Sequence, residues 1–160
     1  MDGDLEQLPD GRWRLRFTRT LAHPPGKVWR ALTDPEHLAY WFPTTIEGER
    51  AVGAPLRFSF PQGHAVPFSG EMLAYDEACV LELSWGGDIL RLELREVSGG
   101  TELTLLDTLE ERGKAARDGA GWHARLDALE AGLVGHQDAR EDREAWQRLN
   151  ARYIERFGPE

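Results

Sequence analysis

Apolar and polar residues alternate along much of the chain up to about residue 108, and after residue 120 the apolar ones recur every three or four positions. Alternation predicts strands with one buried face, and three-four spacing predicts helices with one buried stripe. In RWRLRF, Trp13, Leu15 and Phe17 share one face and Arg12, Arg14 and Arg16 the other. This is a half-buried strand with a solvated arginine side. Continued, the alternation puts Arg19 on the apolar side. Either a bulge resets the strand or Arg19 points inward and needs an anionic partner. His23-Pro24-Pro25 ends the strand. Val28, Trp29 and Leu32 then predict a short helix, and Thr33-Asp34-Pro35 breaks it and caps a second carrying Leu38, Trp41 and Phe42, which Pro43 stops.

Strand patterns follow from Thr44. Thr45 to Arg50 is the first, Gly53-Ala54-Pro55 a turn, and LRFSF the next, with Leu56, Phe58 and Phe60 on one face. Pro61 to His64 reads as a hairpin connection. Phe68 to Tyr75 and Val80 to Trp85 are further strands, the latter with Leu81, Leu83 and Trp85 inward. Gly86-Gly87-Asp88 turns the chain into the alternation of Leu90, Leu92 and Leu94. Gly99-Gly100 turns it again into Thr101 to Thr108, with Leu103 and Leu105 inward. Consecutive strands with short connections mean an antiparallel meander. Between Ala120 and Gly135, Trp122, Leu126, Leu129 and Leu133 form the stripe of a helix that covers the apolar face of the sheet. Residues 136–160 predict a terminal helix, with Trp146, Leu149, Tyr153 and Phe157 as a narrow seam. Trp146 and Phe157 are expected to be buried by docking on this domain or on a second copy. The expected layout is a loose lead-in over residues 1–11, one domain over 12–135 and a helical extension over 136–160.

Composition narrows the function classes. The 160 residues suit one domain, and 41% hydrophobic with 29% charged residues is an ordinary globular balance. A formal charge of -9, from 19 basic and 28 acidic residues, argues against general nucleic-acid binding. No apolar run reaches the ~18 residues of a membrane span. The single cysteine, Cys79, allows no intramolecular disulfide and is expected to be partly buried at a strand end. The acidic opening MDGDLEQLPDG is unlike a secretory signal, so a cytoplasmic protein is expected. Six tryptophans fall in six different elements, as core or as cavity lining.

The segment TRTLAHPPGKVWRALTDPEHLAYWF resembles the opening of the SRPBCC (START/Bet v 1-like) superfamily, in the branch named after the activator of Hsp90 ATPase. The shared features are Arg19 near a strand end, Pro24 or Pro25 at a helix start, the run Val28 to His37, and Trp41-Phe42-Pro43. Further along come Gly70 to Leu73, Trp85 closing a strand, GGTELTL from Gly99, and GWHARLDALEAGL from Gly121. The usual Gly-Gly after the second strand is here Gly53-Ala54. The resemblance implies an α+β helix-grip fold: a curved seven-stranded antiparallel sheet around a long C-terminal helix, with two short helices after the first strand. It also implies a small apolar or amphipathic ligand held between sheet and helix, or alternatively a cyclase- or hydrolase-type enzyme, or a cochaperone-like module.

Phe58, Phe60, Met72, Trp85 and Leu92 on inward strand positions, with Trp41, Trp122 and Leu126 on helices, are the candidate lining of that pocket. Arg19 and Asp107 are the candidate polar groups. Asp107 follows the inward parity of Leu103 and Leu105, so an Arg19–Asp107 salt bridge is open. His123 is about 100° around the helix from Trp122 and is expected to be exposed. Glu71 and Glu82 alternate with apolar residues and are expected in solvent, and Glu36-His37 is read as a helix-surface pair. No G-x-S-x-G, H-E-x-x-H, P-loop or G-x-G-x-x-G occurs, and the five histidines lack metal-ligand spacing. No catalytic residue, metal or cofactor is therefore assigned. The partners expected are a small apolar ligand, no nucleic acid, no membrane, and a homodimer through residues 136–160 or a sheet edge.

Overall fold

The computed structural model describes residues 2–63, 65–136 and 143–159. The first strand lies where the lead-in was expected. β1 (Asp4–Gln7) pairs antiparallel with β2 (Trp13–Leu21), Leu5 opposite Leu15. The sheet therefore has eight strands rather than seven. A short apolar-polar pattern flanked by acidic residues gave too weak a signal for β1. Its partner makes the strand, through Glu6, whose carboxylate takes Arg14 at 2.7 Å and Arg16 at 3.3 Å. Two of the arginines on the outward face of β2 thus have a neighbour as well as solvent.

After β2 come α1 (Pro25–Thr33) and α2 (Pro35–Trp41), divided at Asp34 as the sequence predicts. The Asp34 side chain accepts from the Glu36 N–H at 3.0 Å, while its own backbone N–H donates to Arg30 O. One residue thus closes the first helix and caps the second. The meander follows as β3 (Thr45–Glu47), β4 (Pro55–Ser59), β5 (Phe68–Asp76), β6 (Val80–Trp85), β7 (Asp88–Val97) and β8 (Gly100–Leu109). All pairings are antiparallel, in the order β1-β2-β8-β7-β6-β5-β4-β3. β3 is shorter than the expected run to Arg50. Phe60 lies just beyond β4. β5 carries an irregularity between Met72 and Ala74. Cys79 sits in the β5–β6 turn and is exposed, not partly buried.

A 3-10 turn at Arg112–Lys114 leads into α3 (Ala115–Leu133), which starts five residues before Ala120, where the pattern predicts it. Small residues, Ala115, Ala116, Gly119 and Ala120, pack its first turns without giving an apolar pattern. Leu15, Phe17, Leu83, Leu90, Leu92, Leu103 and Leu105 from the sheet form one core with Trp122, Leu126 and Leu129 of α3. This is the α+β helix-grip arrangement.

α4 (Arg143–Phe157) packs on this domain and covers the other side of α3. Tyr153 and Phe157 are buried as expected, but Trp146 is 38% exposed. The seam closes only at its C-terminal end, where Gly119 lets the Tyr153 ring approach α3: a Cβ there would stand 3.2 Å from Tyr153 Cδ1. Residues 137–142, within the expected terminal helix, lie outside the described residues. Among the described residues no helix is long and apolar enough to cross a membrane.

Candidate functional site

Trp85 closes β6 at the β6–β7 hairpin, and five aromatic rings gather there. Trp85, half-buried, has ring centroids at 5.1 Å to Phe42, 5.0 Å to Phe58, 5.0 Å to Phe68 and 6.1 Å to Trp122. Phe60 joins through Phe68 at 6.1 Å. Most of these contacts are edge-on or tilted, the geometries that aromatic quadrupoles favour. Gly70 makes the close approach of β5 possible. A Cβ at that position would lie 2.5 Å from Ser84 O and 2.7 Å from Phe58 Cε2. Phe58, Phe42 and Trp122 are buried at the base of this wall, whereas Phe60, Phe68 and Trp85 remain partly open to solvent.

The candidate lining thus divides. Phe58, Phe60, Trp85 and Trp122 come together. Met72, Leu92 and Leu126 are fully enclosed in the sheet–helix core. Trp41 stacks edge-on against Phe42 at 5.2 Å but turns its ring toward the helices. Phe68, at the first position of its strand, is central to the wall, yet period-two parity from Met72 alone gives it no special weight.

Behind Trp122 lies a buried carboxyl cluster. The Trp122 indole Nε1–H donates to Asp107 Oδ2 at 3.0 Å. Asp88 Oδ1 accepts from the Glu110 N–H and from Lys114 Nζ, both at 2.9 Å. Asp88, Asp107 and Asp118 each place an oxygen within 4.8 Å of the others. Burial, then the negative charge of Asp88, pushes the Asp107 carboxyl up to about 9, so it keeps its proton near neutrality and hydrogen-bonds Asp88. Its Oδ1 receives no donor from the fold, as expected of a carboxyl that carries its own proton. Burial also raises Asp118. Burial pulls Lys114 down, but its hydrogen bond to Asp88 and that group's charge outweigh this and raise it. Three carboxyls in a pocket could in principle hold a cation. Here Lys114 and the proton on Asp107 already supply the positive charge, so the donor set fits a metal poorly.

The expected Arg19–Asp107 pair is not formed. The β2–β8 register sets Arg19 opposite Leu103 and Asp107 opposite Leu15, so the two are four residues apart along the ladder, roughly 13 Å. No bulge intervenes, and Arg19 points inward. It meets Asp127 Oδ1 at 2.8 Å and Glu130 Oε1 at 3.0 Å on α3. Burial alone would lower its pKa, but the two carboxylates outweigh it and hold it above the ordinary value. Arg19 thus fastens α3 to the sheet and is remote from the aromatic wall.

His123 is buried, not exposed. Its Nδ1 lies 2.9 Å from the Tyr153 hydroxyl, which also accepts from the Gly3 N–H at 2.9 Å. With the imidazole proton on Nε2, 3.5 Å from Asp127 Oδ2, Nδ1 accepts the Tyr153 hydroxyl proton. Burial lowers the His123 pKa, the Asp127 charge opposes this, and Arg19 lowers it further. Glu71 is exposed. Glu82 pairs with Arg91 at 3.0 Å on the outer face.

Comparison with known proteins places this geometry. The family model for "Activator of Hsp90 ATPase homolog 1-like protein" matches residues 22–133, and the chain belongs to that family. The fold is shared with EF2215 of Enterococcus faecalis, a conserved protein of unknown function, at TM-score 0.78 and 23% identity over 96% of this chain and 89% of that one. CalU16 of Micromonospora echinospora, in its solution structure, gives TM-score 0.75 and 25% identity over 98% and 91%. DynU16, a protein of the dynemicin biosynthetic locus, gives TM-score 0.69 and 25% identity over 81% of this chain and 50% of that one. No curated protein matches the sequence.

Proposed function

We propose that the protein binds a small apolar or amphipathic molecule against the aromatic wall formed by Phe60, Phe68, Trp85 and the rings beneath them. The observation that carries this is the partly exposed Trp85 with four rings packed around it. Folding would gain by burying so large a ring completely, whereas a bound planar molecule gains by covering its open face. Membership of a fold family that holds ligands between sheet and helix supports the reading, as does a structural relative from a biosynthetic locus. A cyclase- or hydrolase-type reaction has one observation in its favour, the buried Asp107 carboxyl one residue behind the wall. The Trp122 indole stands between that carboxyl and the wall, so binding is the better-supported role.

The test uses N-phenylnaphthylamine, a neutral polycyclic dye, with the full chain. Saturable dye fluorescence is expected, with affinity falling about tenfold in Trp85→Ala, on the order of 1.4 kcal/mol for loss of one stacking surface. Trp146→Ala, on the exposed part of α4, is the control and should bind like the parent. Equal binding by both variants would remove the wall as the site.

A further inference from the structure

A cavity lies away from the aromatic wall. It occupies about 120 Å³ between α1, α2 and the C-terminal turns of α3, with no sheet residue in its lining. Ala31, Trp41, Leu129 and Leu133 give it apolar walls, and Lys27, His37 and Tyr40 stand at its polar side. The Trp41 ring is fixed there by its indole Nε1–H, which donates to Ala31 O at 2.7 Å. His37 and Tyr40 stack at 6.1 Å and close one flank. Gly132 leaves the last turn of α3 without a side chain where the helix faces Tyr40, and a Cβ there would only touch Tyr40 Cβ at 3.5 Å.

We propose that this cleft binds a small organic carboxylate whose apolar body is about the size of one six-membered ring. Two observations and one chemical consideration carry it. The volume is close to that of apolar cavities of about 150 Å³ that take up benzene. Lys27 is partly buried, yet takes part in no ion pair or side-chain hydrogen bond among the described residues, in a chain where acidic groups outnumber basic ones. An ammonium beside apolar walls selects for an anion attached to an apolar group, because a charge-assisted hydrogen bond to the carboxylate can form while the ring fills the cavity. The residues involved differ from those of the aromatic wall, so either site can fail without the other.

The decisive experiment compares benzoate with its neutral isostere benzamide, each titrated into the ¹⁵N-labelled full chain while the indole Nε1–H resonances are followed. Benzoate is expected to shift the Trp41 indole saturably, and benzamide to bind about tenfold more weakly, the worth of one charged hydrogen bond. Lys27→Met should make the two ligands equivalent. Gly132→Leu, which places a side chain in the cleft, should abolish the Trp41 response to both. Equal titration of benzoate and benzamide in the parent protein overturns the proposal, and that comparison needs no variant to fold. A benzoate response confined to the Trp85 and Trp122 indoles also overturns it, and assigns the carboxylate to the aromatic wall instead.

Discussion

Trp122 and His123 are neighbours on one helix and both are buried, but they face two different worlds. Trp122 turns to the sheet, where apolar rings surround it and a single hydrogen bond to Asp107 satisfies its indole N–H. His123 turns to α4 and the N-terminal segment, where its contacts are a phenol, a carboxylate and the edge of Phe17 at 6.5 Å. The first face is held mainly by apolar area, the second by a chain of hydrogen bonds from Gly3 through Tyr153 to His123. Apolar burial tolerates changes of pH, whereas a neutral imidazole that accepts a hydrogen bond does not. The carboxyl cluster behind Trp122 adds a second group whose proton the fold dictates.

The sharpest way to break this contrast is Trp122→Ala. Removal of a nearly enclosed indole should cost about 3–5 kcal/mol, since a cavity is left and Asp107 Oδ2 loses its donor. A denaturant titration that shows an unchanged midpoint would mean the sheet-facing side carries little of the fold.

Next in size is Asp107→Asn. The folded state holds the Asp107 proton up to about 9, against 3.8 for the free group. The stability that this proton contributes is fully present below the lower value and is lost as pH rises toward the upper one. Asparagine keeps an acceptor for Trp122 and a donor toward Asp88 without the titration. The variant should therefore gain about 1–3 kcal/mol over the parent at pH 8 and lose the advantage near pH 4. A difference that does not change with pH would show that Asp107 ionises normally.

Tyr153→Phe probes the other face. It leaves the Gly3 N–H and His123 Nδ1 without partners, for a cost of about 1–2 kcal/mol, and hydrogen exchange at Gly3 should accelerate. Unchanged exchange at Gly3 would mean the N-terminal segment is held by Arg152 and Arg156, which pair with Asp2.

The smallest effect expected is an acid-dependent loosening of α4. Burial depresses the His123 pKa below the free value of 6.5, so its contribution is present above 6.5 and is lost as pH falls through the folded-state value. Near-ultraviolet circular dichroism between pH 7 and pH 5 should report the loss in the parent protein. His123→Gln, which cannot titrate, should abolish that dependence. The same curve in both proteins would assign the acid response elsewhere.

Much of the architecture was legible in the sequence, and particular residues show why. Alternation in the β7 segment and, up to Leu105, in the β8 segment, with the Asp34-Pro35 break, left few alternatives for the order of elements. Gly70 could be read as part of a family pattern, but only the approach of β5 to Ser84 explains why it must be small. β1 was missed because a four-residue strand takes its stability from the strand beside it. His123 was missed because the stripe of α3 defines only one buried face, and the second face exists because α4 returns to cover it. Asp88 and Asp118 carry no sequence signal, because one sits in a Gly-Gly-Asp turn and the other ahead of the recognisable helix. For the candidate site, the sequence brought Phe58, Phe60, Trp85 and Trp122 into one set, but it included Met72 and Leu92 on the same parity. Parity tells which side of a sheet a residue is on, not how far along the groove it lies.

The sequence by itself determined every element after the first strand, their order and the main apolar side of each, because periodicities of two and 3.6 are local properties of the backbone. Only the tertiary structure decided which inward residues meet in the partly exposed aromatic wall and which are sealed in the core. It also decided that Arg19 answers Asp127 and Glu130 rather than Asp107, and that Lys27, which has no partner among the described residues, lies beside a cleft of helices. Those outcomes depend on strand register and on where α3 and α4 come to rest, which are settled by contacts between residues far apart in the chain.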